Sequence, residues 1–315
     1  MISAFPGSGK IAARYREILE RKPIAVAHAV EPCRRKAIHS RQESDNLNPI
    51  LDNIIHNVRL HSTWRMEMTE KHGRSLAGKV ALVTGGSRGI GEGIVRRLAS
   101  DGAALAFTYS SSEEKAKRLA SEIEAAGGKA LPIKADSASA EDVRAAVDQV
   151  ARELGELDIF VNNAGIMIRG TIDSYSLEDF DRMLAINVRA AFVGIQAASE
   201  HMKGGGRIIL IGSNTAVRTA FPGASVYSMT KAALTGLVRG AAIDLAPRAI
   251  TVNNVQPGPT ATDMSAPHAE AVKTLIPLGR MADVSEIAGF VSYLASNETG
   301  FITGASLTID GGYIA

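Results

Sequence analysis

The sequence predicts an α/β fold: a single doubly wound parallel sheet of about seven strands with helices on both faces. Three observations predict it. From Lys79 onward, short apolar runs of strand length alternate with longer amphipathic stretches. The first run, Val80-Ala81-Leu82-Val83, is apolar at every position, as a parallel strand covered on both faces requires. It passes through Thr84 directly into a glycine-rich turn, Gly85 to Gly91, and then into a helical pattern.

The elements follow in order. After strand one at Val80 to Val83 comes a helix over Gly89 to Asp101, then strand two at Ala104 to Thr108 and a helix over Glu113 to Ala126. Strand three is Ala130 to Lys134, and the helix Ala140 to Leu154 leads to strand four, Leu157 to Val161. One long helix is expected over Leu177 to Met202, then strand five at Arg207 to Ile211, a helix over Val226 to Leu245 and strand six at Ile250 to Val255. A loop rich in Pro and Thr, two short helices and a last strand at Ser306 to Ile309 close the domain, which is expected to span residues 75–315. Right-handed crossovers put the C-terminal ends of these strands along one edge, where open α/β sheets bind ligands.

Residues 1–74 differ in kind. They hold Cys33, Trp64 and basic clusters such as Arg34-Arg35-Lys36, with no β-α alternation. Helical candidates cover Ile11 to Leu19 and Ile50 to Leu60. Gly7-Ser8-Gly9-Lys10 resembles the end of a phosphate loop, but Ala4 stands where its first glycine is required and Ile11 where its Ser or Thr should be, so the motif is rejected. Glu17, Glu20, Glu31, Glu43 and Asp45 argue against an organellar transit peptide. The segment reads as an N-terminal extension, poorly ordered or appended, with Met66 or Met68 as the natural beginning.

With 45% hydrophobic residues and a net charge of +2, the 315 residues supply one large core and imply no nucleic-acid partner. No run approaches the ~18 apolar residues of a membrane span, and no secretory signal is visible. The expected location is the cytoplasm, which the single cysteine fits. No Cys/His spacing suggests a metal.

The glycine turn has a chemical reading. Gly85, Gly89 and Gly91 let the backbone bend tightly and approach a ligand without an intervening Cβ. The helix that follows aims its unpaired N–H groups at the same place. A second stretch carries reactive groups: Tyr227 and Lys231 lie a turn apart on one helical face, and Ser213 follows a buried strand. An ammonium beside a phenol favours the phenolate. Bringing a tyrosine from ~10 to near neutrality takes roughly 4 kcal/mol, a demand that a cationic cofactor ring would help to meet. Such a tyrosine can give a proton to a carbonyl oxygen, and Ser213 can hydrogen-bond that oxygen.

These motifs, in this order and spacing, resemble the classical short-chain dehydrogenases/reductases over about Leu76 to Tyr313: Thr84-Gly85-x3-Gly89-x-Gly91, Asn162-Asn163-Ala164-Gly165, Asn187, Ser213, Tyr227-x3-Lys231 and Pro257-Gly258. The resemblance implies a Rossmann-type fold, a homotetramer built through the helices around Leu177 to Met202 and Val226 to Leu245 and through the C-terminal strand, and a small-molecule carbonyl or alcohol substrate. It implies that Tyr227 is the general acid, that Lys231 binds the nicotinamide ribose and depresses the tyrosine, that Ser213 polarises the carbonyl, and that Asn187 holds a water. It further implies cofactor contacts from the turn, including Ser87, Arg88 and Ile90, from Asn163, Ala164 and Gly165, and from Asp136 and Ser137 at adenine. Thr260 and Thr262 after Pro257-Gly258 would meet the nicotinamide amide and the pyrophosphate. The interval from Ser213 to Tyr227 looks one residue longer than in many relatives, which leaves the shape of that loop open.

An NAD site places an acid at the end of strand two, about 20 residues past the glycines. Here Thr108 to Ser112 hold no acid before Glu113, while Ser110 and Arg88 suit a 2′-phosphate, so NADP(H) is expected. Ile166, Met167, Ile168, Phe221, Pro222 and Met264 are candidates to line an apolar pocket. Within the family the sequence is similar to 3-oxoacyl-acyl-carrier-protein reductases and to cyclic-di-GMP-binding biofilm dispersal mediators. Lys203 and Arg248 match the places where the reductases carry bases for carrier docking. Two readings follow: an NADPH-dependent ketone reductase, or a cyclic-dinucleotide sensor on the same fold.

Overall fold

The computed structural model describes residues 75–315 apart from Ala220, Met264, Pro267 and His268. The N-terminal extension, its two helical candidates and the Met264 pocket assignment lie outside the described residues. Seven strands form one sheet in the order β3-β2-β1-β4-β5-β6-β7, every neighbouring pair parallel. They are β1 Val80–Val83, β2 Ala104–Tyr109, β3 Lys129–Lys134, β4 Ile159–Asn162, β5 Arg207–Ile211, β6 Thr251–Pro257 and β7 Ser306–Ile309.

The helices are α1 Gly89–Ser100, α2 Glu113–Ala125, α3 Ala140–Glu153, α4 Leu177–Leu184, α5 Ala190–His201, α6 Ser225–Leu245, α7 Ala269–Lys273 and α8 Val284–Ala295. Alternation along each strand sends side chains to two separate cores. Val83, Phe107, Val161 and Val255 pack with Ile94 and Leu98 of α1 and Val291 of α8. Leu82, Phe160, Leu210 and Val252 pack on the other face with Val147 of α3, Ala198 of α5 and Leu234 of α6. Burial on both faces explains why the central strands carry uninterrupted apolar runs.

The chain winds outward from β1 through β2 to β3, then returns to the other side of β1 for β4. The strand order therefore reverses between β1 and β4, and the crevice beyond their carboxyl ends is where such sheets bind ligands. Val83 is in register with Val161 of β4 and Phe107 of β2, which brings Thr84 beside the residues that follow β4.

Three expectations need correction. The long helix over Leu177 to Met202 is interrupted by a π turn, Ala185–Arg189, that separates α4 from α5. Its centre is Asn187, whose side chain is drawn into the crevice by three hydrogen bonds; such wide turns recur at functional sites. Strand β4 begins at Ile159, two residues later than expected, and Asp158 just before it accepts with its carboxylate from the Val80 N–H and the Lys79 ammonium. Helix α8 is not short: a capping box between Asp283 and Glu286 starts three full turns. Among the described residues no helix is long and apolar enough to cross a membrane.

Candidate active site

The glycine turn is held from two sides. The Gly85 N–H donates to the Thr108 hydroxyl at 2.9 Å, and the Gly86 N–H to the Thr108 carbonyl at 2.9 Å. From the β4 side, the Asn163 side-chain amide donates to the carbonyls of Thr84 and Gly85, both at 3.0 Å. The Thr84 hydroxyl accepts from the backbone N–H groups of Asn163 and Ala164, again at 3.0 Å. Asn163 thus shapes the cradle with its side-chain amide. Thr84 and Thr108 carry roles that sequence reading did not single out; the hydroxyl beside the turn was the available signal.

Two observations test whether a dinucleotide pyrophosphate fits here. A Cβ at Gly91 would fall 2.2 Å from the Gly85 carbonyl oxygen, and Gly85 and Gly89 have φ of +64° and +55°, so the turn admits only glycine. Arg88, the N-cap of α1, is extended and offers no side-chain cap. The first-turn N–H groups of α1, at Gly89, Ile90 and Gly91, therefore have no intrahelical partner and face the crevice as an anion site. The residues fit. Thr262 stands over the turn, its methyl 3.6 Å from where a Gly89 Cβ would be. Thr260 is buried and bonds the Gly258 carbonyl at 3.0 Å, which points its hydroxyl back into the loop. Pro257 ends β6, and Gly258 must be glycine because a Cβ there would lie 2.3 Å from that of Asp310.

On the adenosine side, Ser110 follows β2 and is exposed, as is Arg88. Asp136, also exposed, uses one carboxylate oxygen to accept from the Ala138 N–H at 2.9 Å, which closes a turn around Ser137.

Beyond β5 the backbone passes through Gly212 to Ser213, the N-cap of a 3₁₀ turn over Asn214–Ala216. The Ser213 oxygen accepts from the Thr215 N–H at 3.2 Å and the Thr215 hydroxyl at 2.9 Å. Its own proton is left to serve the neighbouring Tyr227 phenol, whose pKa it lowers. Burial pushes that phenol above its ordinary value and the Ser213 bond pulls the other way, with burial the larger effect. Lys231, one turn later on α6, is buried and donates to the Ile211 carbonyl at 2.9 Å. Its ammonium faces the Tyr227 ring, 5.8 Å from the centroid, and burial pushes its pKa down to about 8. In the chain by itself the ammonium addresses the ring and a carbonyl.

Asn187 is buried, and its side chain is fully engaged. The oxygen accepts from Ile166 N–H at 2.9 Å; the nitrogen donates to the Ile166 carbonyl at 2.9 Å and to the Thr230 hydroxyl at 3.1 Å. Gly165 separates it from Lys231: a Cβ there would lie 3.3 Å from both the Asn187 oxygen and the Lys231 nitrogen.

Of the pocket candidates, Ile166, Met167, Ile168 and Phe221 are partly buried and Pro222 is exposed. The loops that carry them are joined by a Gly170 N–H to Gly223 carbonyl bond at 3.1 Å, and the Arg169 guanidinium lies 4.8 Å over the Phe221 ring. The proposed docking bases are already engaged: Lys203 pairs with Glu156 at 2.8 Å, and Arg248 donates to the Ser199 and Met202 carbonyls at the end of α5.

An anion cradle at the switch point of a doubly wound sheet, with a tyrosine and lysine on a helix across the crevice, defines a nucleotide-binding α/β protein of oxidoreductase type. Residues 85–314 match the family model described as enoyl-(acyl carrier protein) reductase, and the chain belongs to the short-chain dehydrogenase/reductase family. It is 42% identical over 242 residues to the cyclic-di-GMP-binding biofilm dispersal mediator protein of Escherichia coli (strain K12), covering 76% of this chain and 98% of that one. A short-chain dehydrogenase/reductase from Serratia marcescens BCRC 10948 superposes with a TM-score of 0.75 at 56% identity, over 76% of this chain and all of that one. A short chain dehydrogenase from Burkholderia cenocepacia J2315, solved in complex with NADP, gives 0.75 at 48% identity with the same coverage.

Proposed function

We propose that this protein reduces a ketone, a 3-oxoacyl thioester or a related carbonyl, to a secondary alcohol with NADP(H). The single observation that carries the reading is the cluster of Ser213, Tyr227 and Lys231 at the carboxyl end of β5, across the switch-point crevice from the glycine cradle. The NADP-bound Burkholderia relative supports the choice of cofactor.

The chain would hold the pyrophosphate with the backbone of Gly85 and Gly89 to Gly91 under Thr262, with Ser87 lining the turn. Asp136 and Ser137 would border the adenine. Ser110 and Arg88 would take the 2′-phosphate. Asn163, Ala164, Gly165, Pro257, Gly258 and Thr260 would border the nicotinamide half. When bound, the reduced nicotinamide supplies hydride to the carbonyl carbon. Tyr227 then gives its phenolic proton to the oxygen as general acid. Ser213 shares a hydrogen bond with the same oxygen as it becomes negative. The Lys231 ammonium, in a water-poor setting, stabilises the phenolate left behind and is placed to bond the ribose.

The test is NADPH oxidation on a 3-oxoacyl thioester and a panel of small ketones, with Tyr227→Phe compared with wild type. The variant should keep cofactor binding and lose turnover by the ~10²–10⁴-fold of a missing positioned acid. The name of the 42%-identical relative supports a second reading, a regulatory protein that binds a cyclic dinucleotide. Calorimetry with cyclic-di-GMP separates the two: micromolar binding with no turnover on any carbonyl selects the sensor. Assembly as a homotetramer through α5 and α6 is part of the first reading, supported by exposed Phe192 on α5 and Met229 and Ile243 on α6, and light scattering tests it.

A further inference from the structure

Thr230 stands immediately before Lys231 on α6 and has no exposed surface. Its hydroxyl is the junction of a buried chain of hydrogen bonds that joins three elements. A threonine hydroxyl has one proton to give, and here it goes to the Tyr227 carbonyl at 2.7 Å. The oxygen is thereby left as acceptor, and the Asn187 amide donates to it at 3.1 Å. The same amide holds both the N–H and the carbonyl of Ile166 at 2.9 Å. The chain thus runs from the loop after β4, through the π turn, to the backbone of Tyr227.

We propose that Thr230 is a positioning residue for this site: its hydroxyl fixes the π turn and the loop after β4 against the Tyr227 backbone, and so sets where the Tyr227 phenol stands. This rests on the reading of Tyr227 as proton donor. Two observations support it over a role in packing alone. Thr230 supplies the one side-chain bond between the Asn187 amide and α6 among the described residues. A Cβ placed at Gly165, in the loop held by that amide, would lie 3.3 Å from both the Asn187 oxygen and the Lys231 nitrogen, so both groups converge on this one backbone position. The glycine cradle is held by Thr84, Thr108 and Asn163 and shares none of these bonds. Loss of the hydroxyl should therefore act on turnover far more than on cofactor binding, whose pyrophosphate cradle is held separately.

Thr230→Val keeps the shape and removes both bonds, while Thr230→Ser keeps the hydroxyl. Misplacement of a reacting group by about 1 Å costs up to about 10²-fold, so kcat of Thr230→Val should fall ten- to a hundred-fold. The NADPH Kd, read by fluorescence titration, should stay within about twofold, and Thr230→Ser should restore kcat to near wild type. Thr230→Ala repeats the comparison where the valine variant does not fold. A wild-type kcat in Thr230→Val overturns the proposal, as does a fall that serine does not restore or that NADPH affinity shares. Failure of both hydroxyl-free variants to fold also overturns it, because the hydroxyl then serves stability. Tyr227→Phe is the control: if it turns over like wild type, the proton-donor reading fails; if it is inactive while Thr230→Val is normal, only this inference does.

Discussion

Asn163 and Thr84 hold each other across the switch point: the Asn163 amide donates to the Thr84 carbonyl at 3.0 Å while the Thr84 hydroxyl accepts from the Asn163 N–H at 3.0 Å. The bond from the same amide to Gly85 extends this clasp into the glycine turn. Asn163→Ala strands two carbonyls at about 1–3 kcal/mol each when buried. The expected result is a lower Tm and a roughly tenfold weaker NADPH Kd, equal to about 1.4 kcal/mol. Unchanged values of both in thermal melts and titration would show that the turn holds itself.

The turn should also refuse the smallest side chain. A Cβ at Gly91 meets the Gly85 oxygen at 2.2 Å and the Asn163 amide nitrogen at 2.5 Å, both parts of the clasp. Gly91→Ala should cost about 1–3 kcal/mol in stability and abolish measurable NADPH binding. Gly240, in the exposed middle of α6, meets nothing within 4 Å. Gly240→Ala should instead stabilise by about 0.5–1 kcal/mol, and chemical denaturation of both variants checks the contrast.

Cofactor preference should lie in Ser110 and Arg88. Both are exposed at the rim of the crevice beside β2, and no acid follows β2 before Glu113. NADPH should bind more tightly than NADH, Arg88→Ala should narrow the gap, and Ser110→Asp should reverse it by placing a carboxylate against the 2′-phosphate. Equal dissociation constants in the wild-type chain would remove the basis for this assignment.

Lys231 gives a pH dependence. Its pKa is pushed down to about 8 by burial, against ~10.4 for an exposed lysine. Between those values the unfolded chain binds more protons at this position than the folded one, so stability rises with pH across the window. Tyr227 is shifted upward, and below ~10 its phenol is protonated in both states, so it does not oppose the trend. Relative to Lys231→Met, the wild-type chain should gain Tm as pH rises from about 8 to 10. A flat or falling difference in scanning calorimetry would mean that the lysine is not desolvated.

The amino-acid sequence determined the layers and the candidate residues, because both are written in local pattern. Apolar runs such as Val80 to Val83 mark strands covered on both faces, and glycines at 85, 89 and 91 answer a backbone need that no other residue meets. The spacing of Tyr227 and Lys231 placed them on one helical face. What only the tertiary structure decided is how those residues are used, since each use depends on partners far away in the chain. Asn163 turned out to clasp Thr84 and Gly85, and Lys231 to address Ile211 and the Tyr227 ring. The break in the long helix at Ala185–Arg189 was invisible in a helical pattern that runs through it. It exists because the Asn187 side chain finds its partners on Ile166 and Thr230, and no local propensity records hydrogen bonds offered by a distant loop and another helix.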